Sequence, residues 1–189
     1  MVSPALRDFV SHAAVQARER SDPAECVLAL APMMRELIDR TGALLEPQHC
    51  RSDSNHYARN LVYDAADGSL SLYALVWLPG QWTPVHDHGS WGVVGVLEGV
   101  LEERNYVRLS PDAGADQGIR LARGGVILLG RGAVTSFVPN PDHIHVTGVA
   151  PGRPIAVSLH LYGRMMNSFN IYDVSAGTRR RVALEHNES

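Results

Sequence analysis

The chain has 189 residues, a formal net charge of -3, 45% hydrophobic and 20% charged residues. This length suits one domain with a buried core, and the weakly acidic balance argues against the basic surface of a nucleic-acid-binding protein. Its two cysteines, Cys26 and Cys50, have neither the number nor the spacing of a disulfide framework or a structural zinc site.

Residues 1–50 are predicted to be helical. Asp22, with Glu25 three residues later, matches a capping box that begins a helix, and Gly42 is a candidate for its end. The first residues lack the pattern of a signal peptide, and no apolar run is long enough to span a bilayer. We therefore expect a cytoplasmic protein with no membrane partner and no nucleic-acid partner.

Residues 55–165 are predicted to form β strands. Short β-rich runs alternate with glycine and proline, as in RNLVYD, SLSLYALVWL, GVVGVLEGVLEERNYVRL, GVILLG, HIHVTGV and IAVSLHLYG. Such spacing is typical of an antiparallel sandwich or a small barrel. The predicted organisation is mainly β, one domain over residues 1–189 with a helical cap and a C-terminal tail at residues 166–189. The arginines at 179–181 are expected to be solvated in that tail.

Two histidines flank an aspartate in the apolar stretch PVHDHGSWGVVGVLEG. In a strand, His86 and His88 would point to the same face, and imidazole is a ligand for iron, zinc, copper and nickel. The alternative is a pair of histidines on an exposed face. A third ligand would come from HIHVTGV, where both His143 and His145 are candidates.

The run AVSLHLY places three polar side chains, Ser158, His160 and Tyr162, on one face of a strand. An exposed polar face is the commoner outcome for such a pattern, and lining a barrel cavity is the alternative. In a cavity, the three groups would form a hydrogen-bond relay. A hydrolytic triad fits poorly, because no acid joins the run and the serine is not at a nucleophile elbow.

Arg59 follows His56 and Tyr57 in a β-rich run. It either extends to water from an edge strand or binds a substrate carboxylate through its two-pronged guanidinium group.

The segment from Gly80 through the two histidines to Gly99 resembles the first motif of the cupin barrels. Most cupins carry a glutamate about four residues after the second histidine, where this chain has Gly92. Three neutral histidines alone would leave a divalent metal with its full positive charge, which favours anionic ligands such as a thiolate.

Taken together, the motifs between residues 57 and 162 resemble the thiol dioxygenases of the cupin superfamily, that is, the cysteine dioxygenase family in its bacterial type. The motifs that carry this resemblance are Tyr57-x-Arg59-Asn60, Trp77, His86-x-His88, His145 and Ser158-x-His160-x-Tyr162. The resemblance implies a double-stranded β-helix (jelly-roll) barrel with an N-terminal helical cap. It also implies an enzyme that adds both atoms of O2 to the sulfur of a small thiol carboxylate, with L-cysteine and its sulfinate as the first candidates.

The same resemblance implies one Fe(II) per chain, bound by His86, His88 and His145, with His143 excluded by the family's spacing. Arg59 would bind the substrate carboxylate.

Three aromatic residues receive roles from the resemblance. Tyr57 and Trp77 would shape the pocket. Tyr162, held by the serine and histidine of its run, would lie beside the substrate and oxygen as the catalytic hydrogen-bond donor.

Some features leave the substrate open. Animal members carry a cysteine, cross-linked to the tyrosine, five residues past the second histidine; this chain has Val93 there, so no Cys-Tyr thioether is expected. The run WGVVGVLEG resembles bacterial 3-mercaptopropionate dioxygenases, which usually have glutamine at the position of Arg59. Mercaptosuccinate is a further candidate if Arg164 binds a second carboxylate. A non-catalytic metal-binding cupin is the remaining alternative.

Overall fold

The computed structural model describes residues 3–40, 44–112, 114–139 and 143–187. Gly42, the candidate helix end, lies outside these ranges. The chain begins with α1 (Pro4–Glu19), α2 (Pro23–Ile38) and a short 3-10 helix (Pro47–Cys50). The predicted start of α2 is confirmed, since the Asp22 side chain accepts a hydrogen bond from the N–H of Ala24. No helix in these ranges is long and apolar enough to cross a membrane.

Strands make up most of the remaining chain. They are β1 (Ala58–Asp64), β2 (Ser71–Trp77), β3 (His86–Asp87), β4 (Gly92–Glu98), β5 (Val100–Arg108), β6 (Leu121–Gly130), β7 (Val134–Phe137), β8 (Ile144–Gly148), β9 (Ala156–Tyr162), β10 (Ser168–Asp173) and β11 (Thr178–Ala183). They pair antiparallel in two sheets, of order β1-β2-β9-β4-β7 and β11-β10-β3-β8-β5-β6. The predicted mainly β fold with a helical N-terminal part is confirmed.

The prediction of a C-terminal tail at 166–189 is wrong. Strands β10 and β11 belong to the six-stranded sheet, and β10 pairs directly with β3, with Ile171 opposite His86. The three consecutive arginines suggested a solvated segment. A strand can pair through its backbone while Arg180 and Arg181 stay exposed, as they do here.

Strand β2 separates two apolar clusters. Its side chains alternate, so Leu72 and Ala74 pack with the helices, whereas Tyr73, Leu75 and Trp77 join a cluster that includes residues of both sheets. All seven residues of β2 are buried for this reason. The candidate site lies within the inner cluster.

Helix α2 lies against the outer face of β4. A Cβ atom at Gly95 would lie 2.9 Å from Cγ of Met34, so the glycine permits this close approach. The helical cap thereby supports the strand whose opposite face lines the site.

Candidate metal centre

Three histidines converge where β3 meets β8. His86 lies directly opposite His145 across the two strands, and His88 follows two residues after His86. One ring nitrogen of each histidine lies within 4.8 Å of those of the other two. All three side chains are buried, with 3 to 5% of each residue exposed. The structure thus brings together the three residues that the sequence predicts as ligands.

The nitrogen atoms of this trio fit a metal ion. His86 Nδ1 lies 3.0 Å from the carbonyl oxygen of Pro84 and therefore carries the proton, which leaves a lone pair on Nε2. That Nε2 lies 3.1 Å from Nε2 of His88. Among the described residues, Nε2 of His145 has no hydrogen-bond partner although it is buried. A cation between the three Nε2 atoms would account for these lone pairs.

The protonation of the trio also suits metal binding. Burial, together with the neighbouring histidines, lowers the pKa of His86 and of His88 well below the usual value. Burial likewise lowers the pKa of His145. Neutral imidazole is the form that binds metals, so a divalent ion would not have to displace protons at neutral pH.

Asp87, between the two histidines, faces away from the metal centre. Its carboxylate accepts hydrogen bonds from the Asn170 side chain at 3.1 Å and from the Tyr172 hydroxyl at 2.5 Å. Both partners lie on β10. Asp87 therefore links β3 to β10 on the side away from the metal centre and is not a metal ligand.

The predicted polar run on β9 forms a continuous hydrogen-bond chain. Ser158 Oγ lies 2.8 Å from Nε2 of His160, and Nδ1 of His160 lies 3.2 Å from the Tyr162 hydroxyl. The indole N–H of Trp77 donates to Ser158 Oγ at 3.0 Å. All of these residues are buried, so the exposed-face alternative is wrong, and His160 and Tyr162 line a cavity.

Burial sets the protonation states of the hydrogen-bonded side chains on β9. It lowers the pKa of His160 to about 3, so the ring is neutral. It also raises the pKa of Tyr162, so the phenol keeps its proton. The Tyr162 ring lies 5.3 Å from the His88 ring between centroids, which brings the chain next to the histidine trio.

A small cavity separates the trio on one sheet from the polar chain on the other. Tyr57 and Trp77 form part of its wall and stack at 4.5 Å between ring centroids. The structure therefore places both predicted pocket residues in the cavity wall, next to the polar chain.

Arg59 also lines this cavity and is only 8% exposed, so it does not extend to water. Its Nη1 donates to the carbonyl of Glu185 at 3.1 Å, and its Nη2 donates to that of Met166 at 2.7 Å. The guanidinium group also lies over the Tyr73 ring, 4.5 Å from its centroid. A guanidinium group has five N–H donors, so donors remain for a ligand while the group is held in place.

Arg164 does not line the cavity. Its Nε and Nη2 donate to the carbonyl of His88, at 3.2 and 2.9 Å, and further bonds reach the carbonyls of Met165 and Ser168. It therefore ties the end of β9 to the histidine loop, which leaves little support for a second carboxylate site.

Gly92, rather than Val93, is the position that faces Tyr162. The two are direct partners in the β4–β9 pairing, whereas Val93 points the other way and packs in the cluster beneath the helices. A Cβ atom at Gly92 would lie 2.3 Å from Cζ of Phe137. Phe137 in turn stacks on His88 at 4.4 Å between centroids. The phenyl ring thus fills the space beside the tyrosine.

Glu103 is a further residue of the site that was missed from the sequence. Glu103 on β5 is 4% exposed. Its Oε1 lies 3.5 Å from Nε2 of His143, and its Oε2 lies 3.3 Å from Nδ1 of His145. Burial would raise the pKa of this carboxyl, but the two histidines outweigh that effect and lower it. The available signal was its position two residues after Leu101, on the inward face of a strand.

Comparison with known proteins gives relatives for most of the chain. The cysteine dioxygenase type 1 of Homo sapiens is 26% identical over 138 residues, and that of Rattus norvegicus is 28% identical over 138 residues. Each alignment covers 72% of this chain and 65% of the relative, so less than two thirds of either relative is matched. A solved protein with a double-stranded β-helix domain from Klebsiella pneumoniae superposes with a TM-score of 0.48 at 14% identity, over 70% of this chain and 99% of that one. The family model for cysteine dioxygenase type I matches residues 46–175, more than half of the chain, and the chain belongs to that family.

Proposed function

We propose that the protein is an iron-dependent thiol dioxygenase that converts a small thiol carboxylate, with L-cysteine as the first candidate, to its sulfinate. In this reaction both atoms of O2 end on sulfur and the thiol supplies the electrons, so no other reductant is needed. The observation that carries the proposal is the buried Ser158–His160–Tyr162 chain facing three histidines across one cavity. A site that only binds metal has no need of such a chain.

His86, His88 and His145 would hold one Fe(II), since their nitrogen atoms converge and their rings are neutral. Ferrous iron supplies the redox chemistry that lets a thiolate react with O2. The described residues of the cavity wall include no carboxylate. The three imidazoles add no charge of their own, so the site favours an anionic sulfur ligand.

Tyr162 would donate a hydrogen bond to the reacting groups. Because Trp77 donates to Ser158, the serine hydroxyl is free to donate its own hydrogen bond to Nε2 of neutral His160. The Nδ1–H of His160 then donates to the Tyr162 oxygen, which leaves the phenol hydrogen directed into the cavity. Burial keeps that phenol protonated, and a donor fixed before the reaction is the kind that stabilises developing negative charge.

Arg59 would bind the substrate carboxylate. It is the one arginine among the described residues that line the cavity, and its bonds to two main-chain carbonyls hold it in place. A single arginine suits a monocarboxylate such as L-cysteine or 3-mercaptopropionate better than mercaptosuccinate. The described lining residues include no acid that could pair with the ammonium group of L-cysteine. The main alternative substrate is therefore 3-mercaptopropionate, which has no amine.

The proposed enzyme works without a Cys-Tyr thioether. Gly92 faces Tyr162, and the adjoining space is filled by Phe137. Cys26 is a buried residue of α2 and Cys50 belongs to the 3-10 helix, so neither lies beside the tyrosine.

Oxygen uptake by the iron-loaded protein with L-cysteine, 3-mercaptopropionate, mercaptosuccinate and cysteamine tests the proposal. We expect sulfinate formation from a monocarboxylate thiol, with one O2 consumed per thiol. The Tyr162→Phe variant should retain iron and lose at least tenfold in kcat, because it lacks the donor. No uptake with any of the four thiols, or full activity in Tyr162→Phe, would contradict the proposal. Iron binding without uptake would favour a non-catalytic metal-binding cupin.

A further inference from the structure

Glu103 is a buried acid that the proposed reaction does not use. Its side chain is 6% exposed. A buried carboxylate is costly unless donors surround it. The ring nitrogens that face it belong to His143 and His145, at 3.5 and 3.3 Å. The acid and the histidine trio therefore share one residue, His145.

The register of the sheet sets this contact. In the β5–β8 pairing, Asn105 lies opposite His145, and Glu103 lies opposite Thr147. Glu103 is thus two residues from the position opposite His145, a diagonal neighbour on the same face of the sheet. Backbone pairing consequently keeps the Cβ atom of Glu103 on the same face as this imidazole, with the carboxylate within reach of it.

The contact decides which nitrogen of His145 can bind a metal. A neutral imidazole carries one N–H and one lone pair. With the proton on Nδ1, the protonated nitrogen is the one that lies 3.3 Å from Oε2 of Glu103, and the lone pair is left on Nε2 for a metal shared with His86 and His88. The other tautomer would set a lone pair against a carboxylate and a proton at the metal position.

The three ligands differ in what supports them. His86 is oriented by the main-chain carbonyl of Pro84. Among the described residues, Nδ1 of His88 has no hydrogen-bond partner, and Nδ1 of His145 makes no aligned hydrogen bond but lies at ion-pair distance, 3.3 Å, from Oε2 of Glu103. His145 is thus the ligand whose supporting group, Glu103, is a side chain that can be replaced.

We propose that Glu103 is a positioning residue that orients His145, with Nδ1–H toward the carboxylate and Nε2 toward the metal, and thereby raises the affinity of the three-histidine site. This inference deepens the proposed function, on which it rests for the presence of a metal at the three histidines. It adds a negative charge behind one ligand, outside the cavity wall. Loss of such a supporting carboxylate typically weakens metal affinity by roughly 10- to 100-fold.

Glu103→Gln tests the role with little change of volume, and Glu102→Gln is the matched control. Glu102 is the preceding residue and pairs with Arg104 at 2.7 Å, away from the histidines. Affinities for Fe(II) and Co(II) would be measured anaerobically by chelator competition, and the visible spectrum of the Co(II) form would report ligand geometry. We expect Glu103→Gln to bind both ions roughly 10- to 100-fold more weakly with an altered Co(II) spectrum, and Glu102→Gln to match the wild type.

Further measurements separate positioning from a merely structural effect. Glu103→Asp keeps the charge and should recover part of the lost affinity. Melting of the metal-free variants should show that they fold, because Gln fills the same space. Glu103→Gln with wild-type affinity and spectrum would overturn the proposal. A second ion per chain that is lost in both Glu103→Gln and His143→Ala would also overturn it, because Glu103 would then be a ligand.

The readouts also separate this inference from the proposed function. They measure metal binding and do not require thiol oxidation. A wild-type protein that binds the ions but oxidises no thiol would contradict the proposed function alone, and the Glu103 variants could still be judged. A wild-type protein that binds neither ion would remove both.

Discussion

Replacing Gly92 with alanine should disturb the metal centre without touching a ligand. The added Cβ would lie 2.3 Å from Cζ of Phe137 and under 3.0 Å from both Cε atoms. The phenyl ring packs against two imidazoles, with its centroid 4.4 Å from that of His88 and 4.6 Å from that of His143, so it cannot move without disturbing them. The clash must therefore move Phe137, and His88 with it.

The expected cost is that of overpacking a core, about 1–3 kcal/mol. For a chain of 189 residues, each kcal/mol lowers Tm by about 2–4 °C, so the Gly92→Ala variant should melt roughly 2–12 °C lower. Calorimetry of the metal-free protein would measure this, and chelator competition should show weaker Fe(II) binding because His88 is displaced.

Gly125→Ala is the control for adding a methyl group to a strand. Nothing lies within 4 Å of a Cβ atom at Gly125, so its effect should stay within about 0.5 kcal/mol. Replacing Phe137 with the smaller leucine should make room for the added methyl group. The double variant Phe137→Leu/Gly92→Ala should therefore lose less free energy of unfolding than the sum of the two single changes. If Gly92→Ala melts and binds metal like Gly125→Ala, the packing argument is refuted.

Two further predictions concern Arg59 and His160. Arg59→Lys should raise KM for thiol carboxylates roughly tenfold or more, because the two-pronged geometry is lost. The same change should leave the slow turnover of cysteamine, which has no carboxylate, unchanged. Equal effects on both kinds of thiol in steady-state oxygen uptake would contradict a carboxylate role for Arg59. The pKa of His160 is about 3 in the folded protein against an ordinary value of 6.5, so between these values the unfolded chain binds more protons and stability falls as pH falls. Urea unfolding at pH 7.5 and 5 should show His160→Asn losing about 2 kcal/mol less than the wild type over this interval, and equal losses would count against a buried, neutral ring.

The parts of the site that follow a regular strand could be predicted from the sequence. Ser158, His160 and Tyr162 share a face because they alternate on β9, and they meet as expected. The position facing Tyr162 could not be found by counting from His88. Strand β3 ends at Asp87 and β4 begins at Gly92, so the intervening loop breaks the alternation and shifts the facing residue by one.

Residues supplied by distant strands were beyond sequence reasoning for a different reason. Glu103 stands beside Glu102 in LEERNY, and a glutamate in a strand is ordinarily exposed. Alternation with Leu101 was the local signal for its burial, but its contact with His145 depends on the pairing of β5 with β8, which no local pattern reveals. Phe169, whose ring centroid lies 4.7 Å from that of His86, was not predicted as a site residue because residues 166–189 were expected to form a tail.

The signs of the charges around the site support the proposed thiol carboxylate substrate. Glu103 lies behind His145, outside the cavity, so the cavity itself contains the positive charge of any bound metal and the fixed guanidinium of Arg59. Two positive centres separated by largely apolar and aromatic walls are matched by a small ligand with an anionic group at each end. A thiolate suits the metal, because soft sulfur binds iron, and a carboxylate suits the planar guanidinium. The thiolate of an amine thiol such as cysteamine can bind the metal, but its ammonium group would face the guanidinium of Arg59, which carries the same sign of charge. The cavity that would accept L-cysteine or 3-mercaptopropionate should therefore discriminate against cysteamine.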